Sequence, residues 1–236
     1  MTRPLFVLHD PPRDGPTNMA RDEALLHSPA IAPAVLRLYA WSPPTISLGY
    51  FQRFADVAAL PADVRDLPVV RRQTGGGAIL HDCEVTYCLV VDDSLAVARQ
   101  APDALYRLAH EAWRAALAAT GRPVDVAPDS FPMPSPRSGP FFCFEKPGRT
   151  DLIVDGLKLV GSAQRRIPRV APVADAPPAP AAGRVLQHGS LLLTQRFASH
   201  PGCDLGAPDP ATVAGWTADF VARVAAALDL TPTPLT

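Results

Sequence analysis

The stretch RRQTGGGAILHD, from Arg71 to Asp82, combines arginines, consecutive glycines and a histidine, and could place main-chain N–H groups against a ligand. A P-loop would need a lysine followed by serine or threonine, but Gly77 is followed by Ala78 and Ile79. A dinucleotide fingerprint would need a helix after the glycines, whereas the continuation alternates like a strand. The stretch therefore predicts a loop between strands whose glycines line an extended ligand, or a glycine-rich bulge without a ligand.

Cysteine and lysine are scarce, and each gives separate information. Only two of the 22 basic residues are lysines, Lys146 and Lys158, so a lysine here indicates a specific need for an ammonium group. His81 alone is more typical of a hydrogen-bonded scaffold than of a catalyst.

The cysteines show no CxxC pair and no zinc-like spacing with histidine, which predicts free thiols and no metal site. They are Cys83, Cys88, Cys143 and Cys203.

Composition bounds the class of protein. A length of 236 residues with 47% hydrophobic and 19% charged residues is typical of one large globular domain. A net charge of −1 gives no global argument for nucleic-acid binding. No apolar run is long enough to span a membrane and the first residues lack a signal-peptide pattern, so we expect a cytoplasmic protein. Four arginines predict either a basic patch for an acidic partner or scattered solvated charges. They are Arg165, Arg166, Arg169 and Arg184.

Periodicity predicts three helices. A short one covers Asn18 to Leu26, with Thr17 or Asn18 as its cap. The most regular one covers Pro102 to Thr120 and is closed by Gly121. The last begins at Asp209 and Pro210. Its predicted inner face carries Val213, Trp216, Phe220 and Val224.

Strand-like runs lie between these helices, and two pairs of them suggest hairpins. Val35 to Trp41 and Thr45 to Phe51 are joined by Ser42-Pro43-Pro44, and Asp151 to Val154 and Leu157 to Val160 by Asp155-Gly156. Further strands are predicted at Val69 to Arg72, Ala78 to Val91 and Val185 to Thr194. Ile167 to Gly183, rich in proline and alanine, predicts a mobile loop between two partner strands. These elements predict an α/β (α+β) fold, with residues 1–236 forming a single catalytic domain.

Five blocks of the sequence occur in the order found in one known family. NMARDEALL, WSPPTISLGYFQ, RRQTGGGAILHD, DLIVDGLKLVGSAQRR and LQHGSLLL resemble the lipoate-protein ligase and octanoyltransferase family from Asn18 to Leu193. The resemblance implies a biotin/lipoate protein ligase-like domain with a mixed, largely antiparallel sheet flanked by helices. It also implies that the glycine loop and Lys158 border an acyl group.

Members of that family use two chemistries. Ligases activate lipoate with ATP and Mg²⁺, whereas transferases take octanoate from acyl carrier protein through an enzyme cysteine and need no cofactor. Cys143, in GPFFCFEKPG, matches the CFxxP motif of one transferase branch, and the block LQHGSLLL lacks the cysteine of the other branch. About 40 residues follow LQHGSLLLT, which leaves little room for the accessory domain of many ligases. A buried inert cysteine is the structural alternative for Cys143.

The resemblance therefore implies a protein N-octanoyltransferase in lipoate biosynthesis. Cys143 would form the acyl-enzyme, and Lys158 would promote the thiolate and orient the carbonyl. Octanoyl-acyl carrier protein would be the donor and a lipoyl domain or glycine-cleavage H protein the acceptor, with no nucleic acid or membrane as partner. The alternatives are an ATP-dependent ligase, an amidotransferase between proteins, and a silent acyl-binding protein. The implied acyl-binding residues are Arg72, Gly75, Gly76, Gly77, His81, Gly161, Ser162, Ala163 and His188.

Overall fold

The computed structural model describes residues 3–28, 33–121, 123–131, 140–169 and 182–235. These residues form helices on a large mixed sheet, with a second, smaller sheet beside it. The helices are α1 (Gly15–His27), α2 (Pro102–Ala116) and α3 (Pro210–Leu228). The strands are β1 (Pro4–His9), β2 (Ala34–Tyr39), β3 (Thr45–Leu48), β4 (Val69–Arg71), β5 (Ile79–His81), β6 (Glu84–Asp92), β7 (Asp125–Val126), β8 (Leu152–Val154), β9 (Leu157–Ile167), β10 (Arg184–Leu192) and β11 (Thr231–Pro234).

The large sheet has eight strands in the order β11-β1-β2-β6-β10-β9-β8-β7. Strand β1 runs parallel to β11 and β2, and the remaining neighbours are antiparallel. The small sheet has the order β4-β3-β5, with one parallel and one antiparallel pair. The predicted α/β fold with a mixed, largely antiparallel sheet is therefore confirmed.

Alternating side chains of the central strands build a core on each face of the large sheet. Tyr87 and Leu89 of β6 pack towards α2 and α3, where the rings of Trp113 and Phe220 stack with centroids 3.9 Å apart. Cys88, which lies between them, and Val90 pack on the opposite face with residues of α1. Burying both faces of the same strands fixes their register, because a slip of one residue would exchange the two cores.

The first predicted hairpin is wrong, although both of its strands exist. Strand β2 pairs with β1 and β6, whereas β3 belongs to the small sheet. Pro43 and Pro44 lack N–H donors and cannot continue a ladder, so the chain leaves one sheet there and enters the other. The cap of α1 is also different from the prediction, since Asp14 accepts the Thr17 N–H at 2.8 Å. Asn18 is instead buried inside the first turns.

Local turn chemistry explains the elements that were predicted correctly. Helix α2 is followed by a 3₁₀ turn that ends at Gly121, with φ of +73°. The β8–β9 hairpin turns at Asp155 and Gly156, which both have positive φ, as a tight two-residue turn requires. Asp209 caps α3 by accepting the N–H groups of Ala211 and Thr212.

The strands on either side of Ile167 to Gly183 pair directly, with Ile167 opposite Arg184. This confirms that they are partners in one sheet. The predicted mobile loop itself falls mostly on residues 170–181, which lie outside the described residues. Within the described ranges, no helix combines the length and apolar character needed to cross a bilayer.

Candidate active site

Cys143 is held beside the glycine loop by main-chain hydrogen bonds. Its N–H donates to the carbonyl of Ala78 at 2.7 Å, and the Ala78 N–H donates to Phe141 at 2.7 Å. The segment then turns into a single 3₁₀ turn over Cys143–Glu145. The thiol is half-buried, so it is partly shielded from water but still accessible.

Lys158, near the start of β9, reaches this thiol. Its Nζ atom lies 3.2 Å from Cys143 Sγ and 2.7 Å from Asp151 Oδ2, and the side chain is almost completely buried. Burial alone would lower the pKa of Lys158, but the charges of Asp151 and Cys143 raise it above its ordinary value. The site therefore holds a permanent ammonium against a thiol, which is the environment that promotes thiolate formation.

Asp151 is a member of this site that the sequence analysis missed. Its carboxylate accepts the Gly148 N–H at 2.7 Å through Oδ2, the atom that also faces Lys158. A buried lysine requires a carboxylate or similar acceptor, and Asp151 stands just before the hairpin that carries Lys158. In the sequence DLIVDGLK, an aspartate close to the lysine could therefore have been proposed as its ion-pair partner.

Gly161 makes room for the ammonium. A Cβ atom there would lie 2.1 Å from Lys158 Cε and 2.6 Å from Nζ, far inside van der Waals contact. The implied acyl-binding role of Gly161 stays a prediction, and its observed contact is with the lysine stem. Ser162, the next residue, bonds Tyr87 and His110 through its hydroxyl, at 2.6 Å each.

Arg72 organises the glycine loop from inside the protein. Its guanidinium donates to the carbonyls of Gly75 and Gly77, at 2.9 and 2.6 Å, and to the carbonyl of Ser47 at 2.8 Å. Burial lowers the pKa of Arg72 to about 10, with the nearby Cys143 opposing the shift, so the group is charged at neutral pH. Its hydrogen-bond partners are neutral carbonyl and hydroxyl oxygens, so the guanidinium fixes the main chain of the loop.

The glycines allow close approach of three backbone segments. A Cβ at Gly77 would lie 3.0 Å from the Cys143 nitrogen, and a Cβ at Gly49 would lie 1.9 Å from the Gly76 oxygen. Gly76 also has φ of +92°, which favours glycine. The triple glycine therefore brings the loop directly against the main chain of Cys143, while Gly75 supplies a carbonyl to Arg72.

A second loop is tied to the same segment. Arg71 donates through one nitrogen to the carbonyls of Gly49, Tyr50 and Gln52, at 3.1, 2.7 and 2.6 Å. Gln52 in turn donates to the Phe141 carbonyl at 2.9 Å. Arg71 thus shapes the loop that follows β3.

His81 is fixed by neighbours on both sides of its ring. Nδ1 lies 2.7 Å from Glu84 Oε1, Nε2 lies 2.7 Å from Ser47 Oγ, and the ring stacks on Trp41 at 3.8 Å. Burial lowers the pKa of His81, although Glu84 opposes this, so the ring is neutral at pH 7. Because a carboxylate only accepts, Nδ1 carries the hydrogen and both nitrogens are engaged. These two contacts hold the His81 ring in one orientation, and its implied acyl-binding role stays a prediction.

His188 joins the glycine loop to α1. Its Nε2 lies 2.6 Å from Thr74 Oγ1 and its Nδ1 lies 3.1 Å from Asp22 Oδ2. Burial would raise the pKa of Asp22, but the His188 hydrogen bond and Arg37 lower it below its ordinary value. Ala163 lies opposite His188 in the β9–β10 register.

A narrow cavity of about 10 Å³ lies among these side chains. That volume holds about one water molecule. Of the implied acyl-binding residues, only Arg72, His81 and His188 line it. The complete lining is Met19, Tyr39, Trp41, Ser47, Arg72, Ile79, His81, Thr86, His188, Gly189 and Ser190.

The four arginines considered as a basic patch do not form one. Arg184 is buried and donates to a carbonyl of α1, and Arg166 donates to a carbonyl just before α2. Arg169 pairs with Asp93 at 2.9 Å. Only Arg165 of this group is exposed without a carboxylate in the described contacts. Of the two alternatives, the common patch is not supported, because Arg166 and Arg184 bind main-chain carbonyls and Arg169 is paired with Asp93.

Comparison with known proteins identifies the family. Residues 14–199 match the family described as the lipoyl protein ligase A/B catalytic domain. Octanoyltransferase LipM of Moorella thermoacetica is 44% identical over 189 residues, covering 75% of this chain and 61% of that protein. Octanoyltransferase LipM of Kyrpidia tusciae is 39% identical over 198 residues, covering 79% and 65%. The chain thus spans less than two thirds of the length of these curated relatives.

Solved structures share the fold. A lipoate-protein ligase A bound with ATP superposes with a TM-score of 0.63 at 18% identity, covering 100% of this chain and 90% of that one. A bipartite lipoate protein ligase from Thermoplasma acidophilum gives 0.59 at 17% identity, with coverage of 100% and 88%. Identities this low support the architecture alone. From the family match and the sequence relatives, the chain belongs to the lipoyl protein ligase A/B catalytic domain family.

Proposed function

We propose that this protein is an octanoyl-carrier-protein:protein N-octanoyltransferase that works through a thioester on Cys143. The observation that carries the proposal is the 3.2 Å contact between Lys158 Nζ and Cys143 Sγ. An ATP-dependent ligase has no need of a nucleophilic thiol, whereas a transferase without ATP must keep the energy of its donor thioester. The two LipM relatives, both named octanoyltransferases, support the same choice.

In the first half-reaction, the Cys143 thiolate attacks the carbonyl carbon of the donor thioester. The new bond joins Sγ to that carbon, and the carrier-protein sulfur leaves as a thiolate. Negative charge develops on the carbonyl oxygen between these events. The Lys158 ammonium, already fixed by Asp151, donates a hydrogen bond to that oxygen without reorganisation.

In the second half-reaction, the neutral amine of an acceptor lysine attacks the acyl-enzyme. A C–N bond forms, the C–Sγ bond breaks, and the amine proton passes to solvent. Cys143 returns as a thiolate paired with Lys158. Converting a thioester into an amide is downhill, so no ATP is consumed and no cofactor is needed.

The octanoyl chain would lie along the glycine loop towards the cavity that Arg72 and His188 line. Burial contributes about 0.8 kcal/mol per methylene. A cavity of about 10 Å³ is too small for the chain, so side chains must move when it binds. Met19, which lines the cavity at its α1 side, is suited to this because an unbranched thioether repacks readily.

The partners in this proposal are proteins: an octanoyl carrier protein and a lipoyl domain or H protein. One related fold, the bipartite ligase from Thermoplasma acidophilum, was solved with its E2 lipoyl domain. Here, exposed Tyr50 and Phe54 lie on the loop that Gln52 ties to the Cys143 segment. Arg165 lies near Tyr50, at 5.9 Å from its ring. Aromatic residues with arginine are the composition that protein interfaces favour.

The experiment that tests this function is a transfer assay without ATP. Octanoyl carrier protein and an apo lipoyl domain are mixed with the enzyme, and the mass of the lipoyl domain is followed. We expect one octanoyl group to be added at an unchanged rate whether or not ATP and Mg²⁺ are present. Transfer from free octanoate that requires ATP would show a ligase instead.

A further inference from the structure

We propose that His110 is a positioning residue for the Lys158–Cys143 pair, acting through the main chain of Thr150 and the carboxylate of Asp151. His110 lies on α2 and is almost completely buried. The catalytic consequence rests on the proposed function, whereas the effect on thiol reactivity does not.

The contacts of His110 fix its tautomer. Nδ1 lies 2.5 Å from the Thr150 carbonyl oxygen, and Nε2 lies 2.6 Å from Ser162 Oγ. A carbonyl only accepts, so Nδ1 carries the hydrogen. Burial lowers the pKa of His110 and Lys158 adds to this, although Asp151 opposes it, so the ring is neutral and Nε2 accepts from Ser162.

The Ser162 hydroxyl is supplied by a longer chain of donors. Tyr87 lies 2.6 Å from Ser162 Oγ, and Gln187 donates to the Tyr87 oxygen at 2.7 Å. Gln164 donates to the Gln187 side chain at 2.8 Å. Every group donates in the direction of His110, so the whole chain ends in a single N–H directed at Thr150. Such a satisfied buried network holds one geometry.

The His110 N–H is important because it holds Thr150, whose backbone conformation is strained. Thr150 has φ of +75°, an unfavourable conformation for a β-branched residue, and it is buried. Conformations of this type persist only where the surroundings hold them. The Thr150 carbonyl accepts a hydrogen bond from the side chain of His110. The next residue, Asp151, forms the ion pair with Lys158.

Loss of this contact would let the peptide between Thr150 and Asp151 rotate. The Asp151 carboxylate would move away from Lys158, and the ammonium would be held less firmly on Cys143. The charged or titratable groups around these atoms are Asp151, Lys158, Cys143, Arg72, Tyr87 and the half-buried Tyr106, whose ring packs edge-on against His110 with centroids 6.1 Å apart. Of these groups, only Asp151 makes a hydrogen bond within the turn that contains Thr150, through the Gly148 N–H.

Two variants separate the Thr150 contact from the Ser162 contact. His110→Asn keeps an amide N–H donor near the position of Nδ1, and His110→Gln keeps an amide oxygen near the position of Nε2 that can accept the Ser162 hydroxyl. The readout is the rate of iodoacetamide alkylation at Cys143, followed by peptide mass spectrometry from pH 5 to 9. Arg114→Gln, on the exposed face of α2, is the control for changes in the helix.

We expect His110→Gln to alkylate about tenfold more slowly at neutral pH, with the rate curve shifted to higher pH. His110→Asn should restore most of the rate, and Arg114→Gln should match wild type. In the transfer assay, kcat of His110→Gln should fall while KM for the carrier protein is unchanged. Equal alkylation curves for wild type and a folded His110→Gln would overturn the inference. If wild type transfers no octanoyl group, the proposed function fails, and the alkylation curves still decide the role of His110.

Discussion

Nζ of Lys158 lies 3.2 Å from Sγ of Cys143, and this contact joins β9 to the segment beside the glycine loop. The same ammonium lies 2.7 Å from Asp151. A buried cation with an anionic partner on one side therefore has its other side free to stabilise a thiolate and, later, a carbonyl oxygen.

Asp151→Asn should keep the shape of the site and remove the charge that holds Lys158. Breaking a buried ion pair costs about 3–5 kcal/mol, because the remaining charge is left without compensation. Urea unfolding should show a lower midpoint, and octanoyl transfer should slow by about two orders of magnitude, an effect of the size seen when an oxyanion donor is lost. Asp155→Asn, at the exposed turn of the same hairpin, should change neither quantity. Similar stability and activity for both variants would contradict the role of Asp151.

Gly161→Ala should displace the Lys158 side chain, since the new Cβ would lie 2.1 Å from Cε. The lysine cannot move without leaving Asp151 or Cys143, so transfer activity should fall at least about tenfold. Gly215→Ala is the matched control, because its Cβ would meet nothing within 4 Å. In the middle of α3 it should stabilise the protein by about 0.5–1 kcal/mol. A fully active Gly161→Ala enzyme would show that the space above Gly161 is not needed.

The stability of the protein should fall on mild acidification because His81 and His110 are buried as neutral rings. Burial lowers both pKa values from 6.5, although Glu84 and Asp151 respectively oppose it. The unfolded chain therefore binds protons first, so stability is complete above pH 6.5 and decreases as pH falls towards the folded pKa values. Each histidine contributes a slope of at most about 1.4 kcal/mol per pH unit.

Urea midpoints between pH 7.5 and 5 measure this slope. In His110→Asn one of the two titrating groups is gone, so stability should depend less steeply on pH than in wild type. His27→Gln, at the exposed end of α1, should keep the wild-type slope. A slope that is unchanged in His110→Asn would mean that His110 is not a neutral buried ring.

The elements of the fold followed from local sequence signals. Asp155-Gly156 specified its hairpin, and Asp209-Pro210 specified the start of α3, because each signal acts within a few residues. The predicted pairing of β2 with β3 was wrong, because the burial of side chains in the hydrophobic cores decides which strands pair. Pro43 and Pro44 mark the place where the chain leaves the large sheet, and they resemble a hairpin turn only locally.

Only the site residues that belong to a sequence motif could be predicted. CFxxP and the lysine hairpin pointed to Cys143 and Lys158, which the structure brings into contact. His110 and Thr150 are 40 residues apart and meet only after α2 packs on the sheet. No spacing rule relates them, so their hydrogen bond could not be inferred from the sequence.

Intact mass spectrometry after mixing with octanoyl carrier protein in the absence of ATP tests most directly whether Cys143 forms a covalent acyl intermediate. Wild type should gain one octanoyl group, Cys143→Ala should gain none, and Cys83→Ala should behave as wild type. Cys83 is a suitable control because burial and Asp82 raise the pKa of its thiol. A wild-type protein that stays unmodified but forms an acyl-adenylate from ATP and octanoate would contradict the account, as would octanoylation of Cys143→Ala.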